Sequence, residues 1–467
     1  MQPDETVTAP PSPAKISQLQ GQSAGQRQIS KTRKRQLAHR RSKPVWNGQV
    51  AVQRQNSQAT GANRRVATGT FQEQRPVFLP DQARDKFTDF ESNAVKQVSQ
   101  DPVSTFSIDV DTSSYAFARK SIQQGRLPRR AAVRAEEMIN YFTYDYPRPD
   151  NAEIPFKASA RVYRTPWNPE TKLLHIGLKG YDIERSQKPR SNLVFLLDVS
   201  GSMNAPDKLP LLKSAFRLLV SELGAADTVS IVTYAGRART VLEPTKASNK
   251  AKILSALDRL RSGGSTAGAQ GIRTAYALAE QNFDADGVNR VIVATDGDFN
   301  VGIVDREQLK NYIARKRKTG VFLSILGFGA GNYNDALMQT LAQNGNGTAS
   351  YIDSLREAQK VLVEEAGSTL FPIAKDVKIQ IEFNPLLVSE YRLIGYETRQ
   401  LKNQDFNNDK VDAGDIGAGH QVTALYEITP VGSPAELNTP LRYDTADTDS
   451  GQSDELAFLR LRYKGAL

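Results

Sequence analysis

Three oxygen-bearing side chains occupy alternate positions where an apolar segment ends. The segment LVFLLDVSGSM, residues 193–203, carries Asp198, Ser200 and Ser202. Because alternate side chains of an extended chain project to one side, these three can converge on one small volume. Mg²⁺ takes oxygen ligands in near-octahedral geometry at about 2.1 Å. The pattern therefore predicts a site for a hard divalent cation.

The two serines would supply neutral ligands to a positively charged ion. Their hydroxyls are neutral, so ligation by Ser200 and Ser202 would leave most of the ion's positive charge unsatisfied. A negatively charged group from elsewhere could then complete the shell. A pattern as short as DxSxS also arises by chance, so the hypothesis needs donors from other loops.

Two further segments carry such donors. SGGSTAG, residues 262–268, is a glycine-rich loop that opens a helical pattern and contains Thr266. VIVATDG, residues 291–297, is a second buried strand pattern ending in Asp296. Ligands of an open α/β sheet bind beyond the carboxyl ends of its strands, so we expect all of these donors at one edge.

Taken in this order, the three segments resemble the metal-ion-dependent adhesion site of a von Willebrand factor type A domain. The resemblance implies that hydroxyls hold the ion directly or through water, that the aspartates act largely through water, and that an acidic group of a partner protein fills the sixth position. Mg²⁺ is the expected ion, with Mn²⁺ or Ca²⁺ as alternatives. The five implied metal ligands are Asp198, Ser200, Ser202, Thr266 and Asp296.

Strand and helix patterns alternate throughout residues 191–370. Apolar strands separated by helices indicate an α/β fold with a doubly wound, mostly parallel sheet covered on both faces. Strands are predicted at SNLVFLLD, DTVSIVTYA, NRVIVATD and VFLSILGFG. Helices are predicted at Leu209–Leu223, Ser248–Leu260, Gln270–Gln281, Glu307–Lys318, Asp335–Ala342 and Leu355–Glu365.

Strand patterns return on both sides of this domain. Residues 372–467 contain four alternating segments that predict a β-sandwich, and residues 151–188 predict a β-hairpin that joins it. The α/β domain would then be an insertion between strands of one sandwich. The glycines of GFGAGN, which begin at Gly327, predict a tight turn after a strand, because their spacing does not match a nucleotide-binding loop.

The preceding region, residues 100–150, predicts a strand and two helices, Ser113–Gln124 and Arg130–Phe142. Asp109, Asp111 and Ser113 imitate the spacing of the metal motif. We favour a structural interpretation instead, in which Asp111 or Thr112 caps the following helix.

Residues 1–85 are predicted to be a disordered basic tail. The net charge of +10 arises there: the first 80 residues contain 13 Lys and Arg against 3 Asp and Glu, and the remainder contains 48 of each. The run KTRKR, residues 31–35, could contact an anionic membrane surface electrostatically, although a solvated linker is favoured. Without a folded nucleic-acid-binding pattern, no specific nucleic acid partner is predicted.

The absence of cysteine excludes disulfides, thiolate metal sites and cysteine nucleophiles. No stretch of about 20 apolar residues is present, and no signal-peptide core lies in the first thirty residues. From these features we expect either a cytoplasmic chain or one that lacks its natural amino terminus.

A wider resemblance covers residues 100–467. STFSIDVDTSSY and AEEMINYF ahead of the α/β domain, and GAGHQVTALYEI behind it, resemble bacterial YfbK-like von Willebrand A proteins. This resemblance implies a cell-envelope location and further residues beyond the LRYKGAL with which this chain stops.

Three functions fit the pattern to different degrees. The favoured hypothesis is a non-enzymatic module that binds a protein through its metal ion. A magnesium-dependent hydrolase or phosphatase is the alternative, with Asp298 as the nearest candidate base, since His39, His175 and His420 all lie outside the metal segments. In a third, scaffold-type function the metal would only stabilise the fold.

Overall fold

The structure is a computed structural model that describes residues 15–17, 85–151, 153–184, 187–264, 268–297, 306–439 and 454–465. Nearly all of the predicted disordered tail lies outside these ranges. Within them, no helix is long and apolar enough to cross a membrane.

The amino-terminal part contributes short strands, two helices and a hairpin. Its elements are β1 (Lys15–Ser17), β2 (Lys96–Gln97), β3 (Val103–Ser107), α1 (Ser113–Gln123), α2 (Ala135–Asn140), β4 (Phe156–Thr165) and β5 (Asn168–Gly180). β4 and β5 pair antiparallel, as the hairpin pattern predicts. The predicted helix Arg130–Phe142 is shorter than expected, because Val133 and Arg134 have extended backbone between a 3-10 turn and α2.

The central α/β unit is built on one six-stranded sheet with the order β11-β10-β9-β6-β7-β8. Its strands are β6 (Ser191–Asp198), β7 (Thr228–Tyr234), β8 (Ala238–Lys246), β9 (Val288–Thr295), β10 (Val321–Phe328) and β11 (Ala349–Ile352). All neighbours are parallel except β7 and β8. Every residue of β6, β7 and β9 is buried, which explains their continuous apolar sequences. The mostly parallel sheet is thereby confirmed, while β8 and β11 were not predicted.

Helices cover both faces of this sheet. They are α3 (Leu209–Glu222), α4 (Lys250–Asp258), α5 (Gly268–Gln281), α6 (Arg306–Arg317), α7 (Asp335–Asn344), α8 (Leu355–Gln359) and α9 (Ala366–Leu370), with a π-helical turn at Lys360–Glu364. On one face Phe195 packs in a cluster with Phe216 and Ile253, and on the other Val194 clusters with Ile272. The last predicted helix, Leu355–Glu365, is α-helical only as far as Gln359 and continues as the π-helical turn to Glu364.

Two antiparallel sheets form the β-sandwich. The remaining strands are β12 (Pro372–Phe383), β13 (Val388–Ile394), β14 (Gln400–Leu401), β15 (Gly414–Gly417), β16 (Gln421–Pro430) and β17 (Glu455–Gly465). One sheet has the order β1-β17-β12-β3-β14, with β15 also paired to β12, and the other β2-β13-β16-β5-β4. Ile176, Ile379 and Tyr426 are buried between them. β5 and β12, which flank the α/β unit in sequence, thus lie in opposite sheets of one sandwich.

Asp111 links the α/β unit to the β-sandwich, and the predicted side-chain cap of α1 is wrong. Thr112 occupies the N-cap position of α1 without a side-chain capping bond. Asp111 instead accepts a hydrogen bond from the backbone N of Ala349 at 2.8 Å and pairs with Arg399 at 3.0 Å. Asp109 also pairs with Arg399, at 3.0 Å. These carboxylates satisfy tertiary partners, which the local sequence does not reveal.

Candidate metal centre

Asp198 is the last residue of β6 and is fully buried. Its Oδ1 accepts a hydrogen bond from the backbone N of Ser200 at 2.8 Å, and its Oδ2 accepts one from Thr295 Oγ1 at 3.2 Å. Burial raises the pKa of Asp198 to about 6; the charge of Asp296 adds to this, and hydrogen bonds from Ser200 and Thr295 oppose it. A carboxylate so desolvated gains much from a nearby cation.

The two serine hydroxyls lie together at the start of the following loop. Ser200 Oγ and Ser202 Oγ are 3.1 Å apart. Adjacent ligands of an octahedral ion with bonds of about 2.1 Å are about 3.0 Å apart, whereas bonds of about 2.4 Å, as for Ca²⁺, would separate them by about 3.4 Å. The two hydroxyls lie within hydrogen-bond distance of each other and are therefore close enough to be ligands of one Mg²⁺ ion. A 3-10 turn, Gly201–Asn204, anchored by the buried Met203, holds this loop.

The glycine-rich loop lies directly against the serine loop. Gly201 N donates to Gly264 O at 3.0 Å, and Gly263 N donates to Val199 O at 2.8 Å. Thr266 lies outside the described residues, so its part as a ligand stays a prediction. The described residues just before it are nevertheless tied to the serine loop by these backbone hydrogen bonds.

Asp296, at the end of the third loop segment, is also fully buried. The next residue, Gly297, has φ +98°, and a Cβ there would lie 2.5 Å from Asn334 N and Tyr333 Cα. Only glycine permits both this backbone conformation and this close approach. The loop that carries Asp296 is thus fixed against the turn that follows β10. Asp298 lies outside the described residues.

Lys208 is a member of the site that sequence analysis missed. Its Nζ donates to Asp296 Oδ2 at 2.8 Å, and the two side chains are 9% and 0% exposed. Its aliphatic stem passes over Gly329, where a Cβ would lie 2.6 Å from Lys208 Cγ. Gly327 itself is still in β10, and the turn predicted for this glycine segment begins at Gly329, where the absence of a side chain also leaves space for Lys208. No sequence pattern could predict the ion pair between Lys208 and Asp296, because Lys208 follows β6 and Asp296 follows β9.

The described donors fit a hard divalent cation. Two carboxylates and two hydroxyls supply oxygen only, and the Lys208 ammonium shows that a cation is accommodated beside Asp296. Over the described ranges, no three His, Cys, Asp or Glu residues are grouped to hold a metal. A metal here would therefore depend on the serine hydroxyls as well as on Asp198 and Asp296.

Comparison with known families agrees with the α/β fold of the central unit. The family model described as von Willebrand factor type A domain matches residues 192–364. Domains of this class bind a divalent metal at the metal-ion-dependent adhesion site and commonly mediate metal-dependent protein interactions. Two further models match on either side: von Willebrand factor at residues 81–175 and Uncharacterized protein YfbK, C-terminal, at residues 368–466.

The particular family follows from a relative that is similar in sequence over most of the chain. Uncharacterized protein YfbK of Escherichia coli (strain K12) is 47% identical over 387 residues, which are 81% of this chain and 67% of that protein. This chain therefore belongs to the YfbK family of von Willebrand factor type A proteins. Uncharacterized protein sll0103 of Synechocystis sp. is 32% identical over 167 residues, covering 36% of this chain and 39% of that protein.

Solved structures are more distant. The von Willebrand factor type A structure from Catenulispora acidiphila has a TM-score of 0.40 and 15% identity, covering 70% of this chain and 72% of that chain. A structure of proximal thread matrix protein 1 from the mussel byssus with a zinc-occupied MIDAS motif has a TM-score of 0.32 and 22% identity, covering 40% of this chain and 46% of that chain.

Proposed function

We propose that this protein is a metal-dependent protein-binding module in which Mg²⁺ captures an Asp or Glu side chain of a partner protein. The observation that carries the proposal is the serine pair, whose hydroxyls lie 3.1 Å apart beside the buried carboxylate of Asp198. The proposed ligands are Asp198, Ser200, Ser202, Thr266 and Asp296.

The burial of these residues indicates the side from which a partner could reach the ion. Asp198 and Asp296 are buried and Ser200 nearly so, while Ser202 is exposed. A partner would therefore approach from the side of Ser202. When bound, the ion would supply Lewis acidity. Because the hydroxyl ligands are neutral, they would leave most of its positive charge uncompensated, and this charge would attract a partner's carboxylate. Asp198 positions the serine loop through its bond from Ser200 N.

We propose binding rather than catalysis because the site's oriented groups other than Lys208 are metal donors and the lysine is paired with Asp296. The described histidines, His175 and His420, belong to the sandwich, where His175 Nε2 lies 2.9 Å from the Tyr146 hydroxyl. A hydrolase would need a positioned base. Turnover of a phosphate ester with Mg²⁺, lost in Asp298→Asn, would favour catalysis over the proposed function.

Affinity purification from cells of the native host, with Mg²⁺ or with EDTA, tests the proposal. Asp198→Ala and Thr266→Ala should each abolish the Mg²⁺-dependent capture, because each removes one proposed ligand. Asp286→Ala, which removes an exposed carboxylate elsewhere on the unit, is the matched control and should leave capture unchanged.

Thermal unfolding separates this function from a scaffold role. In a scaffold, Mg²⁺ would raise the melting temperature while partner capture remained the same in EDTA. Capture that survives EDTA and both ligand substitutions contradicts the proposed mechanism.

A further inference from the structure

We propose that Lys208 is a tethered counter-cation of the metal centre: it competes with the divalent ion for Asp296, and its charge couples metal binding to capture of a carboxylate. The inference rests on the proposed function and concerns the regulation of the same site. It is carried by the position of Lys208 and by the charges of the described residues around it.

The ammonium of Lys208 is confined to the site. Its Nζ lies 2.8 Å from Asp296 Oδ2, and only 9% of the side chain is exposed. The stem is covered by the backbone at Gly329, and the main chain is fixed where α3 begins, since Leu212 N donates to Lys208 O at 2.8 Å. The ammonium therefore stays close to Asp296, and an arriving ion meets its charge.

Helix α1 contacts the residue that precedes Lys208. Asp207, the neighbour of Lys208, forms an ion pair of 2.7 Å with Lys120 of α1. The Lys120 ammonium also lies 5.5 Å from the centre of the Tyr351 ring. The residue before Lys208 is thus tied to another part of the fold, which restricts the movement available to the lysine.

Charge counting gives the consequence for binding. Asp198, Asp296 and Lys208 together carry one negative charge when all three are ionised. A divalent ion brings this set to one positive charge, and a partner carboxylate then brings it to zero. Without Lys208, the set would reach neutrality with the metal alone. Because charges interact strongly in buried surroundings, Lys208 disfavours the ion alone and favours the ion together with a carboxylate.

Titration calorimetry of the full chain with Mn²⁺, in chloride and in acetate of equal ionic strength, tests the inference. In chloride, Lys208→Met should bind Mn²⁺ at least tenfold more tightly than the unmodified chain, because the repelling charge is gone. Acetate should increase the Mn²⁺ affinity of the unmodified chain more than that of Lys208→Met. Lys208→Arg, which keeps the charge, should resemble the unmodified chain.

Controls keep the outcomes distinct. Lys252→Met removes an exposed lysine of α4 and should not change Mn²⁺ affinity. Lys208→Gln, which retains a hydrogen-bond donor without the charge, repeats the test if the methionine variant folds poorly by circular dichroism. Equal or weaker Mn²⁺ binding in the neutral variants overturns the role of Lys208 while leaving the proposed function intact. Failure of the unmodified chain and of the neutral variants to bind Mn²⁺ overturns both.

Discussion

Gly297→Ala should cost about 4 kcal/mol of unfolding free energy, because two penalties act on one residue. At φ +98° a side chain is strained by about 1–3 kcal/mol. The new Cβ would also lie 2.5 Å from Asn334 N and Tyr333 Cα, and overpacking of this kind costs a further ~1–3 kcal/mol.

The opposing turn cannot move away without loss. Asp85 Oδ1 accepts hydrogen bonds from Gly331 N at 2.8 Å and Tyr333 N at 2.7 Å, so the turn is held in place by a carboxylate. Displacing the turn would break these bonds, and displacing Gly297 would move the adjacent Asp296. We therefore expect Gly297→Ala to weaken Mn²⁺ binding as well as stability.

Denaturation in guanidinium chloride, read as a change in midpoint at constant slope, measures the stability effect. Gly263→Ala is the matched control, since Gly263 also lies in a loop of the site but a Cβ there meets nothing within 4 Å. Its effect should stay within about 1 kcal/mol of zero. Equal effects of the two substitutions, or a loss below about 1 kcal/mol for Gly297→Ala, would refute the reasoning.

Three further predictions concern other parts of the fold. Arg399→Met leaves the carboxyl of Asp111, whose pKa burial raises to about 8, without its guanidinium partner and should lower the unfolding free energy by about 1–3 kcal/mol in denaturant titration; an unchanged midpoint would show that the ion pair contributes nothing. Burial lowers the pKa of His420 to about 4, so the stability it contributes is complete above its unfolded pKa of about 6.5 and is lost as pH falls from there to about 4. His420→Gln should therefore gain about 2 kcal/mol over the unmodified chain between pH 7 and pH 4.5, whereas parallel pH profiles would contradict this. Ser354→Ala removes the N-cap hydroxyl of α8, which accepts a hydrogen bond from Glu357 N at 3.3 Å, and should lower the unfolding free energy by about 1 kcal/mol in the same titration. Ser354→Asp, which keeps an acceptor at the cap, should retain most of the original stability.

The central strands were predictable because strands that are buried on both faces have nearly continuous apolar sequences. β6 and β9 contain buried residues throughout, and each is followed directly by a carboxylate or ends in one. β8 was missed because it is an antiparallel edge strand whose sequence ARTVLEPTK contains Arg, Glu and Pro. β11 was missed because its four residues are too few to show a period.

The chemistry that sequence analysis could not provide comes from pairs that are distant along the chain. Lys208 and Asp296 are 88 residues apart, and Asp111 and Arg399 are 288 apart. Each residue alone has an ordinary local explanation, as the start of a helix or as a cap. Only the folded α/β sheet, and its packing against the β-sandwich, show which charged side chains form ion pairs.

X-ray data collected at the manganese absorption edge, from crystals grown with Mn²⁺, would test the central claim most directly. We predict one strong anomalous peak about 2.2 Å from both Ser200 Oγ and Ser202 Oγ, with Thr266 and the carboxylates of Asp198 and Asp296 around it. The absence of a peak between the serines at saturating Mn²⁺, or an ion held by other residues, would contradict the account.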